Sequence, residues 1–344
     1  MQWHDELMAE QQQWTGSSPS DLRQMVSAVS GPWLHRVLLD AGMEQAKVDQ
    51  LLGDFHHGFP FVGLMPPCEV SETVRPEAKV PVGSASQTLL EGAAENNQKI
   101  LDTLRESEYA SDVWEQTVSD SQDGWMSYPE VVTSTPADKV LTRRLAVREQ
   151  RKSGWRTRVV DHATESEINE NTVTGEAPQH DSLDVLIWIV FAFIVAGKPG
   201  GMFKADVSKA FRRVPVAAHH MALSWVVFLF QGVPFMSQHR GMPFGTISAV
   251  MAWHRVGGAI LFVIRRKLKL PMARYVDDYF GKNRLGLKFH GSRCLELFGK
   301  LLGIPCDESK SEWDKLAMDV LGSEVVANFQ EQWVSTCLQR EKAG

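Results

Sequence analysis

Cysteine is scarce: the 344 residues hold four (Cys68, Cys294, Cys306 and Cys337), scattered and without a CxxC pair. That pattern argues against a zinc knuckle and for a reduced compartment, cytosol or nucleus, over secretion. Long apolar runs are also missing. The most apolar stretch, residues 185–197, is too short for a bilayer and reads as a buried helix, so no membrane partner is expected. The amino terminus, MQWHDELMAEQQQW, is acidic and polar, unlike a secretory signal. Cations are few in the first 140 residues, with 8 Lys+Arg against 22 Asp+Glu, a balance of −14. The remainder holds 28 basic and 20 acidic residues, a balance of +8. Such asymmetry suggests that only the second part meets a polyanion, the alternative being an ordinary solvated surface with an acidic extension.

What is present divides at about residue 140. Helical periodicity runs through 15–60, as in Leu34, Val37, Leu38 and Leu39, with Pro19 and Pro32 where helices can begin. Residues 65–86 read as a loop or linker, 87–107 as a polar helix, and 119–138 again as loop. From Arg143 basic residues crowd a short interval that ends in the strand-like Val159-Val160. An apolar helix near 185–196 follows, then a Gly-rich turn, a strand at 202–207 and an apolar stretch at 221–235. A helix after Gly245 and a hairpin around ARYVDDYFG (273–281) complete the order.

Three carboxylates stand out. Asp206 closes a strand and can project into a cleft, and Asp277 and Asp278 sit side by side at the tip of the hairpin. Three converging acids repel strongly unless cations neutralise them. Magnesium, a hard ion that takes carboxylate oxygens and substrate phosphates, suits such a set. Two such ions about 3.5–4 Å apart can serve phosphoryl transfer. Taken singly, Asp206 reads equally as a helix N-cap and the Asp pair as an ordinary turn.

The order of motifs narrows the choice. ADVSKAFRRVPV (205–216), GMPFGTISAVMAWHR (241–255) and YVDD (275–278) resemble, in sequence, motifs of the reverse transcriptases, most closely those of LTR and DIRS-like retrotransposons. Leu301-Leu-Gly303, Lys310-Ser311 and Val320-Leu-Gly322 follow in that family's order, and residues 143–169 are similar to its fingers segment. The resemblance spans about 124–325. It departs at His162, where the family has Asp, and after Gly124-Trp125, where the family continues with Gly-Pro.

The resemblance implies an α+β fold, a right-hand polymerase palm (antiparallel sheet with helices behind) with fingers. The fingers would occupy 141–200, the palm 201–325 and a tail 326–344, after an acidic, mainly helical extension over 1–140. The chain stops soon after the last motif, so little or no thumb is expected. Asp206, Asp277 and Asp278, with the Val207 carbonyl, would hold two Mg2+ ions, or Mn2+. Phe211 would exclude a 2′-hydroxyl, and Phe244 and Gly245 would support the nascent base pair. Lys152, Arg156 and Arg158 would grip the triphosphate, and Lys310 would protonate the leaving pyrophosphate. Arg265, Arg266, Lys267 and Lys269 would touch the nucleic-acid backbone. The implied partners are an RNA or DNA template with its primer and deoxynucleoside triphosphates, in cytoplasm or nucleus. The reading from another class is a catalytically inactive remnant that binds nucleic acid. An RNA-templated RNA polymerase is disfavoured by Phe211 and Val276.

Overall fold

In the computed structural model, residues 2–67, 73–74, 85–151, 154–283 and 290–338 are described. Helices α1 (Gln2–Gly16), α2 (Arg23–Ser27), α3 (Gly31–Asp40) and α4 (Gln45–His57) open the chain. The short strands β1 (Gly63–Met65) and β2 (Thr73–Val74) lead to α5 (Ala85–Glu91), α6 (Ala93–Asp102) and α7 (Ala110–Gln122). Next come β3 (Glu130–Val131), β4 (Leu141–Arg151), β5 (Gly154–Asp161), β6 (Thr172–Thr174), β7 (Ala177–Pro178) and α8 (Leu183–Val195). The remainder is β8 (Met202–Asp206), β9 (Trp225–Phe230), β10 (Val233–Gln238), α9 (Ile247–Arg266), β11 (Met272–Tyr275), β12 (Asp278–Lys282) and α10 (His290–Leu302). It closes with β13 (Glu312–Lys315), β14 (Ala317–Val320), β15 (Ser323–Asn328) and β16 (Trp333–Leu338). The fold is mixed α+β.

Two sheets matter for the site. A five-stranded sheet runs β3-β10-β9-β4-β5, antiparallel except where β4 lies parallel to β9. A four-stranded antiparallel sheet runs β11-β12-β8-β13, with β8 and β12 in the middle. Its period of two sorts side chains cleanly. Phe203, Ala205, Met272 and Tyr279 face α9 and α10, whereas Met202, Ala273 and Phe280 face α8 and the β14-β15-β16 sheet.

The basic interval from Arg143 is the β4-β5 hairpin, paired from Arg144↔Asp161 to Arg151↔Gly154. The apolar run at 185–196 is α8, and the helix expected over 87–107 breaks at Gly92 into α5 and α6. Helix α9 starts behind Thr246, whose Oγ1 accepts from the Ala249 amide, and ends on Arg265 and Arg266, which suit its negative pole. By length and composition it could cross a membrane, which the sequence reading overlooked; here 78% of its most apolar window is buried inside the molecule.

The first sixty residues share this core. Leu22, Leu34, Leu38, Phe55 and Phe59 belong to the same apolar cluster as Trp253, Ile260, Tyr279 and Phe298. Phe59 exchanges backbone hydrogen bonds with Pro215 and Ala217 (2.7 and 2.8 Å), and the Phe61 amide donates to His220 Nδ1 (3.0 Å).

Candidate active site

Strands β8 and β12 bring the first and third acids together: Asp206 and Asp278 are directly opposed cross-strand partners. The Cβ atoms of such a pair lie about 4.5–5.5 Å apart, and like charges there repel. Asp277 occupies the two-residue turn between β11 and β12, and its carbonyl accepts from the Val207 amide (3.1 Å). Burial and then the charge of Asp206 push the Asp277 carboxyl up. Burial, Asp277 and Asp206 push Asp278 up to about 6. Each thus senses its neighbours, the electrostatic signature of a site that favours cations.

One cation is already present. Lys310 Nζ lies 2.8 Å from Asp206 Oδ1 and 3.5 Å from Asp307 Oδ2. Burial works against its ammonium, but the hydrogen bond and charge of Asp206 outweigh it and hold the Lys310 pKa above its ordinary value. The 305–307 segment is fixed beside β8 by Asp307 N–H to the Asp206 carbonyl (2.8 Å) and Ser208 N–H to the Pro305 carbonyl (3.0 Å).

Among the described residues, no group of three or more His, Cys, Asp or Glu side chains is gathered so as to hold a metal ion. The donor set suits a hard divalent ion in charge and oxygen chemistry.

The hairpin tip is strained. Val276, β-branched, has φ +53°, a conformation that costs on the order of 1–3 kcal/mol outside glycine. Its carbonyl accepts from Trp253 Nε1 (2.8 Å) and Arg274 Nη1 (2.5 Å), and its amide faces His180 Nδ1 (3.4 Å). Sequence reasoning missed all three side chains.

A second group forms around the turn that precedes α9. Phe211 and Phe244 have ring centroids 5.9 Å apart, and the Arg158 guanidinium lies 5.1 Å from the Phe244 ring. Arg158 also pairs with Glu149 (3.2 Å). Gly245 takes φ +99°, and Asn169 pins the turn by donating to the Gly245 carbonyl (3.1 Å) and accepting from the Ile247 amide (3.0 Å). Behind them Arg144 joins Asp161 (2.9 Å) and Asp120 (3.5 Å), while His239 meets Asp161 (3.0 Å). Burial opposes the Asp161 charge, yet Arg144 and His239 hold its carboxyl far below the usual range. Burial and then Arg212 push His239 down to about 4.

The other expected contacts are dispersed. Arg156 is exposed on β5, and Lys152 lies outside the described residues. Arg265 pairs with Asp181 (2.7 Å) and donates to the Met272 carbonyl (2.8 Å), and Lys267 pairs with Asp40. Arg266 stacks on Phe262 at 5.7 Å, and Lys269 is exposed. These four sit at the end of β11 opposite the acids.

No protein-family model matches the chain, and no curated protein matches it. Solved structures do resemble it. The foamy viral protease-reverse transcriptase in complex with an RNA/DNA hybrid is 16% identical with a TM-score of 0.46, over 79% of this chain and 38% of that one. The same protein with dsDNA is 15% identical with a TM-score of 0.45, over 90% and 56%. The native prototype foamy virus protein is 14% identical with a TM-score of 0.42, over 72% and 35%. The chain spans between 35 and 56% of the length of these structures.

Proposed function

We propose that this chain is an RNA-directed DNA polymerase of a retroelement, or a fragment of one, that adds deoxynucleotides to a primer 3′-hydroxyl. The observation that carries the reading is the direct opposition of Asp206 and Asp278, with Asp277 in the adjoining turn. The motif order in the sequence supplies the rest. Asp206, Asp277 and Asp278, with the Val207 carbonyl, would hold magnesium, which when bound supplies charge for the triphosphate and acidifies the primer hydroxyl. Arg158 and Arg156 hold phosphate oxygens, and Phe211, packed on Phe244, excludes a ribose 2′-hydroxyl. Lys310 donates a proton to the leaving pyrophosphate once it releases Asp206. Positioning and electrostatics account for the rate in such a site.

The Lys310–Asp206 bond, which puts an ammonium on one of the three acids, favours a second reading, a remnant that binds nucleic acid without chemistry. Primer extension on an RNA template with magnesium separates the two. Wild type is expected to incorporate deoxynucleotides, and Asp277→Asn to lose about two orders of magnitude or more. Equal signal from both, or none while nucleic acid still binds, would sink the polymerase reading.

A further inference from the structure

The backbone of Val276 is held at both of its peptides: Trp253 and Arg274 donate to its carbonyl, and His180 accepts from its amide. Trp253 comes from α9, Arg274 from β11, and His180 from the stretch before α8. The Val276 carbonyl has two lone pairs, and both are filled by donors that point out of the core. Trp253 is fully buried, and its indole N–H is the kind of group that must find a partner.

The clamp is itself braced. Arg274 is buried, and its Nη2 lies 3.0 Å from His254 Nδ1 and 3.4 Å from the His254 carbonyl. Its backbone is bound on both sides by Asp181, which accepts from the Arg274 amide (2.9 Å) and donates its own amide to the Arg274 carbonyl (3.1 Å). Arg274 lies so close to α9 that a Cβ at Gly257 would meet its Nη1 at 2.9 Å. The Tyr279 hydroxyl, from the next strand, bonds the Gly257 carbonyl (2.9 Å).

A β-branched residue does not hold φ +53° unless its surroundings impose it. With the Val276 carbonyl directed into the core, the plane of the 276–277 peptide is fixed. The next carbonyl, that of Asp277, is then aimed at the Val207 amide, one residue past Asp206. We propose that Trp253, Arg274 and His180 are positioning residues that clamp the Val276 backbone in its strained form, two at its carbonyl and one at its amide, and so hold Asp277 against the strand that carries Asp206. The clamp stands on geometry alone; its catalytic consequence rests on the polymerase reading.

The test uses glycine, which takes positive φ freely. Trp253→Phe keeps an aromatic ring in the core, though a smaller one, and removes the indole donor. In the Val276 background it is expected to raise hydrogen exchange at the Val207 amide about tenfold and to lower kcat for deoxynucleotide incorporation about tenfold, the loss of one hydrogen bond. KM should move by less than about twofold, since substrate contacts are untouched. In a Val276→Gly background the same substitution should change exchange and kcat by less than about threefold. A Trp253 that merely fills the core would give equal changes in both backgrounds, and that result overturns the clamp. His180→Ala, which leaves the core ring in place, must shift exchange in the same direction, or His180 is removed from the proposal. Background-dependent exchange with an unchanged kcat would overturn the catalytic consequence. Should wild type incorporate nothing, the polymerase reading fails, while exchange still decides the clamp.

Discussion

Asp278 stands across from Asp206, and burial with the charges of Asp277 and Asp206 pushes its carboxyl up to about 6 from an ordinary 3.8. A raised acid favours folding fully below its unfolded pKa, and that contribution is lost as pH climbs through 6. The shift corresponds to about 3 kcal/mol, or roughly 1–3 kcal/mol after solvent screening of a half-buried group. Asp278→Asn is therefore expected to stabilise the cation-free protein by that amount at pH 8, and by about half of it at pH 5. Urea titrations at the two pH values check this; an unchanged midpoint at pH 8 contradicts it. At this scale the acids were legible because chemistry dictates both their type and their spacing. Phe211, Phe244 and Arg158 were singled out through the resemblance instead, and the fold places their side chains near one another. Trp253, Arg274 and His180 were not, since each alone is an ordinary core or loop residue, and what they share is one carbonyl and one amide in space. Nor could the sequence reveal that Arg265 and Lys267 meet Asp181 and Asp40, acids far away along the chain.

Elements end where their neighbours require. Helix α10 stops at Gly303, which takes φ +78°, while the Ile304 amide returns to the Gly299 carbonyl (2.8 Å). This is the left-handed helix end that glycine serves. The link between α2 and α3 passes over it, with Ser30 N–H donating to the Leu302 carbonyl (3.1 Å), and an added Cβ at 303 would run into the Ala28 carbonyl. Left-handed strain alone costs about 1 kcal/mol, and the backbone collision adds to it. Gly303→Ala is expected to destabilise by about 3 kcal/mol or more, measured by denaturant unfolding. A loss near 1 kcal/mol would mean that the link yields easily. The sequence placed Gly303 in a motif but not against Ala28, because only the folded chain brings α2 to the end of α10. The β4-β5 hairpin was half legible for a similar reason: its second strand announced itself through Val159 and Val160, while the first was masked by its arginines.

Across the whole molecule the acidic first 140 residues lie against the basic remainder. Asp54 pairs with Arg255, Asp40 with Lys267, and Asp120 with Arg144, Lys209 and Arg212. Part of the positive excess downstream is thus neutralised within the fold, which composition could not foretell. Removing residues 1–62 would bare the face of α9 that packs on Leu34, Phe55 and Phe59. Such a truncation is expected to lose cooperative thermal unfolding and to aggregate, as followed by circular dichroism and size exclusion. A soluble, cooperatively melting fragment would contradict the shared core. The topology also has a consequence in time. Asp206 and its partner Asp278 are 72 residues apart (278 − 206). At roughly 5–20 residues per second the second leaves the ribosome roughly 4–14 s after the first. Strand β13, the other neighbour of β8, emerges later still. For that interval Met202, Phe203 and Ala205 belong to a strand with two open edges, the kind of segment that chaperones guard. The carboxylate site is therefore assembled late in synthesis, and a nascent chain cut before β12 carries Asp206 with nothing to face.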